Sequence, residues 1–194
     1  MSTIILFHHV LGLTPSVAAF ADELRAAGHE VITPDLFEGR TFDDIPTGFA
    51  YFQELGDDEY LRRAEAAGSH MEGEVVVGGF SLGVVAAQHL LQTRPGVVGA
   101  VLVHAFVDPS YVHGEWPDGV PVHVFGMDED PFLVGDGDLA AAQACQQLHP
   151  EVEIHLYPGK GHLFAETLSD DYDEAAAGVL VRDVVAALDL RGAA

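Results

Sequence analysis

A serine hydroxyl becomes a useful nucleophile only when a base takes its proton and a carboxylate orients that base. The run Gly79-Phe80-Ser81-Leu82-Gly83 sets a serine in a G-x-S-x-G pattern between the apolar stretch Val75-Val76-Val77 and a helical stretch opening at Val84-Val85-Ala86-Ala87. With 21 Gly and six Ser in 194 residues, chance yields roughly 0.07 such pentapeptides, and the strand-turn-helix setting is a separate requirement that is also met. A sharp turn there lifts the hydroxyl above a sheet, and positions 79 and 83, lacking side chains, let strand and helix approach closely. The plain alternative is a turn serine between packing glycines.

A base and an acid are expected after later strands. His162 lies in the glycine-flanked loop Tyr157-Pro158-Gly159-Lys160-Gly161-His162-Leu163-Phe164, and Asp128, Glu129 and Asp130 lie in Gly126-Met127-Asp128-Glu129-Asp130-Pro131-Phe132. The order Ser, Asp, His suits a hydrolase built on an α/β sheet. Among 11 histidines, His104, ending a strand, is the rival base; His29, His89 and His149 read as solvated residues of helix ends or faces, and His155 as a strand residue. Asp130 is preferred to Asp128 as the acid because Pro131 fixes the backbone after it and Phe132 can anchor the turn, the others reading as a solvated acidic turn.

The elements that must hold these residues alternate along the chain. Strands are predicted at 3–8, 30–34, 73–78, 98–104, 120–126 and 152–157, and helices at 15–27, 49–67, 82–93, 137–148 and 171–189. Thr14 can cap the first helix, with Pro15 at its first position and Gly28 past its end. The alternation predicts an α/β fold, a mostly parallel six-stranded sheet with helices on both faces, formed by a single domain over 1–194. Such sheets bind ligands beyond the carboxyl ends of their strands. The segment 105–118, the longest without periodicity, is expected to be a wall or lid of the site.

Composition narrows the partners. Eight Lys+Arg against 31 Asp+Glu leave a net charge of -23, about one negative charge per 400 Å² of surface for a chain of this size. Nucleic acid and anionic membranes are disfavoured as partners, because both are held by basic residues. Hydrophobic residues at 48% and charged residues at 20% exclude a disordered chain. Cys145 cannot form an intramolecular disulfide, the first residues lack a signal-peptide pattern, and no apolar run reaches membrane-spanning length, so a soluble cytoplasmic protein is expected. No H-E-x-x-H, paired-Cys, P-loop or G-x-G-x-x-G pattern occurs, so neither a metal nor an organic cofactor is expected.

Taken together, Phe7-His8-His9-Val10-Leu11-Gly12, Pro34-Asp35-Leu36-Phe37, the pentapeptide at 79–83, Asp130-Pro131-Phe132 and the run 157–164 resemble the dienelactone hydrolase family of α/β-hydrolases over nearly the whole chain. The resemblance implies the α/β-hydrolase fold, a triad of Ser81, Asp130 and His162, and an oxyanion hole from the backbone N–H groups of Val10 and Leu82. Two features depart from the founding enzymes: Ser81 stands in place of Cys, and His9 in place of a Glu that partners that Cys. An ordinary serine esterase mechanism is therefore expected, acting on a small ester or lactone, with a thioesterase or acyl-transferring variant and a non-catalytic binding protein as the rivals. His9, Phe37, His104, Tyr111 and Trp116 are expected to line the pocket, while Phe20, Phe49, Tyr51 and Phe52 pack helices. The stretch from Asp35 to Gly73 is short for the family, and Arg40, Arg62 and Arg63 are candidates for contacting a substrate carboxylate. Without such an arginine, the negative field favours neutral or cationic substrates.

Overall fold

A computed structural model describes residues 1–191; the last three positions of the expected domain lie outside the described residues. Six strands form one all-parallel sheet: β1 (Thr3–Phe7), β2 (Glu30–Ile32), β3 (Val75–Phe80), β4 (Val97–Val103), β5 (Val122–Met127) and β6 (Val152–Tyr157), in spatial order β2-β1-β3-β4-β5-β6. The helices are α1 (Pro15–Ala26), α2 (Ile45–Leu55), α3 (Asp57–Ser69), α4 (Leu82–Thr93), α5 (Asp138–Leu148) and α6 (Glu174–Arg191), with one 3₁₀ turn at Pro109–Tyr111.

The central strands are apolar throughout because both of their faces are covered. On one face Ile5, Val77 and Leu102 meet α3, α4 and α5 through Tyr60, Leu90 and Ala142; on the other Ile4, Val76 and Val101 meet α1 and α6 through Leu24 and Leu180. Burying residues of this size contributes on the order of 2 kcal/mol each. The chain leaves β1 toward β2 and then returns to place β3 on the other side of β1, so the order reverses between β1 and β3. A crevice must open at the carboxyl ends of those two strands.

The expected helix 49–67 is two helices. Gly56 adopts φ 80° and ψ 150°, a conformation costly for residues with a Cβ, and it ends α2 just before the acidic first turn Asp57-Asp58-Glu59 of α3. The break lets Phe52 of α2 meet Tyr60 of α3 edge-on, with ring centroids 5.2 Å apart.

A further expectation fails on burial. His29 and His89 are buried rather than solvated: His89 lies on α4 in the continuously buried run from Ala86 to Gln92, and its Nε2 is 2.8 Å from Glu65 of α3. The segment 105–118 is a strap fastened to α4. Gln88 holds both polar groups of Val107, at 2.8 and 2.7 Å, while the Gln92 amide donates to the carbonyl of Pro109 at 3.2 Å. No helix among the described residues is long and apolar enough to cross a membrane.

Candidate active site

The site begins at the turn between β3 and α4. Ser81 has φ 48° and ψ -115°, held by its amide donating to the Val103 carbonyl at 2.8 Å and its carbonyl accepting from Val84 at 2.8 Å. A non-glycine residue in this region stores about 1–3 kcal/mol of strain. The flanking glycines make the turn possible: a Cβ at Gly79 would strike the main chain of Gly83, and one at Gly83 would strike the carbonyls of Phe7 and His8.

The strained turn points Ser81 Oγ at the loop after β6, where it lies 2.8 Å from His162 Nε2. His162 Nδ1 lies 2.8 Å from Asp130 Oδ2 in the loop after β5. Since Asp130 is acceptor-only when ionised, the ring proton sits on Nδ1 and the Nε2 lone pair faces the serine. Asp130 is fully buried, and its other oxygen accepts from the amides of Phe132 at 2.8 Å and Leu133 at 3.3 Å. The turn that Pro131 shapes thus fixes the carboxylate. Asp128 does a different job, accepting from the Gly159 amide at 3.0 Å and so tying the β5 and β6 loops together. Phe132 lies against the His162 ring at 4.4 Å, and the His162 amide donates to Asp171 at 3.1 Å.

Leu82 is the first residue of α4, where backbone N–H groups have no acceptor within the helix. Val10 packs in the same apolar cluster as Leu82, together with Leu11 and Leu163. Tyr60, a buried residue that sequence reasoning assigned no part in the site, donates its hydroxyl to the Leu82 carbonyl at 3.2 Å and braces the turn from α3.

The residues expected to line a pocket fall in several places, His9 and His104 on a small cavity of about 10 Å³ shared with Phe80 and Glu166. Phe37 is fully buried among His8, Tyr51 and Tyr60, because the loop after β2 folds its aromatic inward. His104, at φ 71°, is buried beneath His162 with ring centroids 5.7 Å apart and is packed on Phe164; burial, with His162 and His9 nearby, drives its pKa well below the usual histidine value. It is a neutral ring beneath His162. Tyr111 is 85% exposed on the strap, and Trp116 packs between Phe106 and His149. His9 is buried and bonded to Glu166 at 2.9 Å.

Glu166 was not found from sequence; its only local signal is its place four residues past His162. Burial raises the pKa of its carboxyl, but hydrogen bonds from His9, Thr14, the Leu168 amide and Ser16 outweigh burial and hold it at about 2. On the other side of β1, burial lowers His8 to about 4, and its Nε2 accepts the Leu36 amide at 3.1 Å. The two histidines that follow β1 therefore diverge to opposite faces, continuing the alternation of the strand.

A groove of about 260 Å³ borders the cluster around Val10, with Leu11 and Leu163 lining it and Asp43, Asp44 and Asp170 exposed along it. The candidate arginines are engaged elsewhere. Arg62 and Arg63 both pair with Glu59, at 2.6 and 2.8 Å, Arg63 also meets Glu38 at 3.2 Å, and Arg40 lies over the Tyr51 ring at 4.9 Å.

The profile of the dienelactone hydrolase family matches residues 1–189. Among solved structures, m3DLH superposes with a TM-score of 0.77 at 20% identity, covering 96% of this chain and 85% of its own. P91, a dienelactone hydrolase-like promiscuous phosphotriesterase from metagenomic libraries, gives 0.72 at 18% identity, over 95% and 84%. The pyrethroid hydrolase PytH gives 0.58 at 16%, over 95% and 97%. Among curated proteins no relative matches.

Proposed function

The chain belongs to the dienelactone hydrolase family of α/β-hydrolases and is a hydrolase, and from that premise we propose that it cleaves small neutral or cationic carboxylic esters or lactones through an acyl-enzyme on Ser81. The observation that carries this reading is the series Ser81 Oγ to His162 Nε2 to Asp130, with 2.8 Å at each step.

His162 takes the serine proton as Oγ attacks the carbonyl carbon, while Asp130 holds the ring and stabilises the imidazolium that forms. The N–H groups of Leu82 and Val10 stabilise the tetrahedral oxyanion, a contribution of about 3 kcal/mol per donor in comparable sites. His162 then protonates the leaving alcohol; a water attacks the acyl group by the same route in reverse, restoring Ser81. No metal or organic cofactor enters these steps. The aspartates along the groove and the engagement of Arg62 and Arg63 support an uncharged or cationic substrate over a carboxylate-bearing one. The single buried cysteine accords with a cytoplasmic setting.

The test is labelling with a fluorophosphonate together with turnover of p-nitrophenyl acetate and butyrate. Wild-type protein should gain one adduct and hydrolyse both esters, and Ser81→Ala should lose the adduct and about 10⁶ in kcat. An unlabelled wild type, or a Ser81→Ala protein that still turns over, overturns the reading.

A further inference from the structure

At the opposite end of the sheet from Ser81, parallel pairing brings three potential metal ligands together. His123 on β5 is in register with Glu153 on β6, and His155 follows Glu153 by two residues, so all three side chains leave the same face. The pairing sets His123 Nδ1 3.2 Å from His155 Nε2, and both nitrogens 3.8 Å from Glu153 Oε2. A triangle with these sides has a point about 2.1 Å from every corner, which is the usual zinc bond length to imidazole nitrogen or carboxylate oxygen. Tetrahedral coordination at that length separates ligand atoms by about 3.4 Å, so the two nitrogens already stand within a few tenths of an ångström of the required spacing. Glu153, with its side chain 61% exposed, needs only to draw in by a few tenths of an ångström.

We propose that His123, His155 and Glu153 bind one divalent transition metal ion, zinc by ligand type and spacing, with the fourth position open to water. Two imidazoles and one carboxylate are a borderline-soft set that suits zinc and disfavours calcium or magnesium, which prefer oxygen cages. The site is partly formed in advance: His123 is nearly buried, and the Phe125 ring stacks on His155 at 4.5 Å and 14°. The strong negative charge of the chain raises the local concentration of cations around it. The search for H-E-x-x-H or paired cysteines could not find this site, because its ligands come from two strands about thirty residues apart. The ion would fasten the edge strand β6 to β5, the two strands whose far ends carry His162 and Asp130. It touches neither of them, so its role is a clamp and not a participant in ester cleavage.

Chelator-treated protein titrated with zinc chloride in a calorimeter tests the proposal, with cobalt(II) as a spectroscopic probe of tetrahedral nitrogen-oxygen ligation. One ion per chain is expected, with Tm raised by about 5–10 °C at a hundredfold excess over Kd. His155→Ala and Glu153→Gln, both at partly exposed positions, should keep the metal-free urea midpoint close to wild type and weaken binding at least about tenfold. Absence of a one-to-one complex, or wild-type affinity in either variant, overturns the proposal.

Discussion

Glu166 and His9, 157 positions apart in the chain, are joined by a 2.9 Å hydrogen bond that fixes the loop after β1. His9 gives its Nε2 proton to Glu166 and accepts the Leu11 amide at its Nδ1, 3.3 Å away, so the ring spans the backbone of Val10. The carboxylate acts on the proposed oxyanion donor through this loop rather than by touching substrate.

Glu166→Gln tests that relationship. With the carboxyl held at about 2, below its ordinary value near 4.5, the ionised form stabilises the fold at neutral pH, and this contribution of about 3 kcal/mol vanishes as pH falls from about 4.5 to 2. Urea unfolding at pH 7 should place the variant lower by roughly that amount, with the gap closing below pH 3. Turnover should fall by about tenfold or more as Val10 shifts. A constant gap across pH would show that the charge is not what matters.

His8 predicts a separate window. A histidine lowered by burial to about 4 must be neutral to fold, so its stabilisation is complete above about 6.5 and is lost as pH drops toward 4. The wild type should lose about 3 kcal/mol across that range from this residue alone. His8→Gln, which keeps a donor and an acceptor, should shallow the slope by about one proton in a titration of unfolding midpoints. An unchanged slope would assign the acid sensitivity to His29 or His104, whose pKa values burial also lowers.

The two aspartates after β5 should separate cleanly. Asp130→Asn leaves the shape of the turn but upsets the His162 tautomer, and a drop of about 10⁴ in kcat is expected. Asp128→Asn should cost at most about 1–2 kcal/mol in stability through its bond to Gly159, with kcat within tenfold. Steady-state kinetics with a chemical denaturation curve for each variant reads both; equal losses in kcat would contradict the division of roles.

Releasing the strap is the fourth test. Gln88→Ala leaves both the N–H and the carbonyl of Val107 without their side-chain partner, a loss of about 1–3 kcal/mol. Amide exchange in the strap around Val107 should quicken well beyond that in β4. Equal protection in variant and wild type would mean that the strap is held by its apolar contacts alone.

Much of this molecule could be read from short-range pattern. Six strands fall in the expected order because β-branched runs bounded by turn residues are a local signal, and Ser81, Asp130 and His162 each follow such a run. What could not be read was direction and distance. Phe37 and Trp116 follow strands and so look like pocket residues, yet their loops turn them toward apolar neighbours. The break at Gly56 is hidden because a helical pattern continues on both sides. Glu166 and the group on β5 and β6 act through partners that only the closed fold brings near.

A strap tied down by Gln88 and Gln92 is a poor gate. If the proposed acyl-enzyme forms on Ser81, a strap held in this way supplies no closing step to keep it apart from solvent. An added alcohol would then compete with water for that acyl group in simple proportion to its concentration.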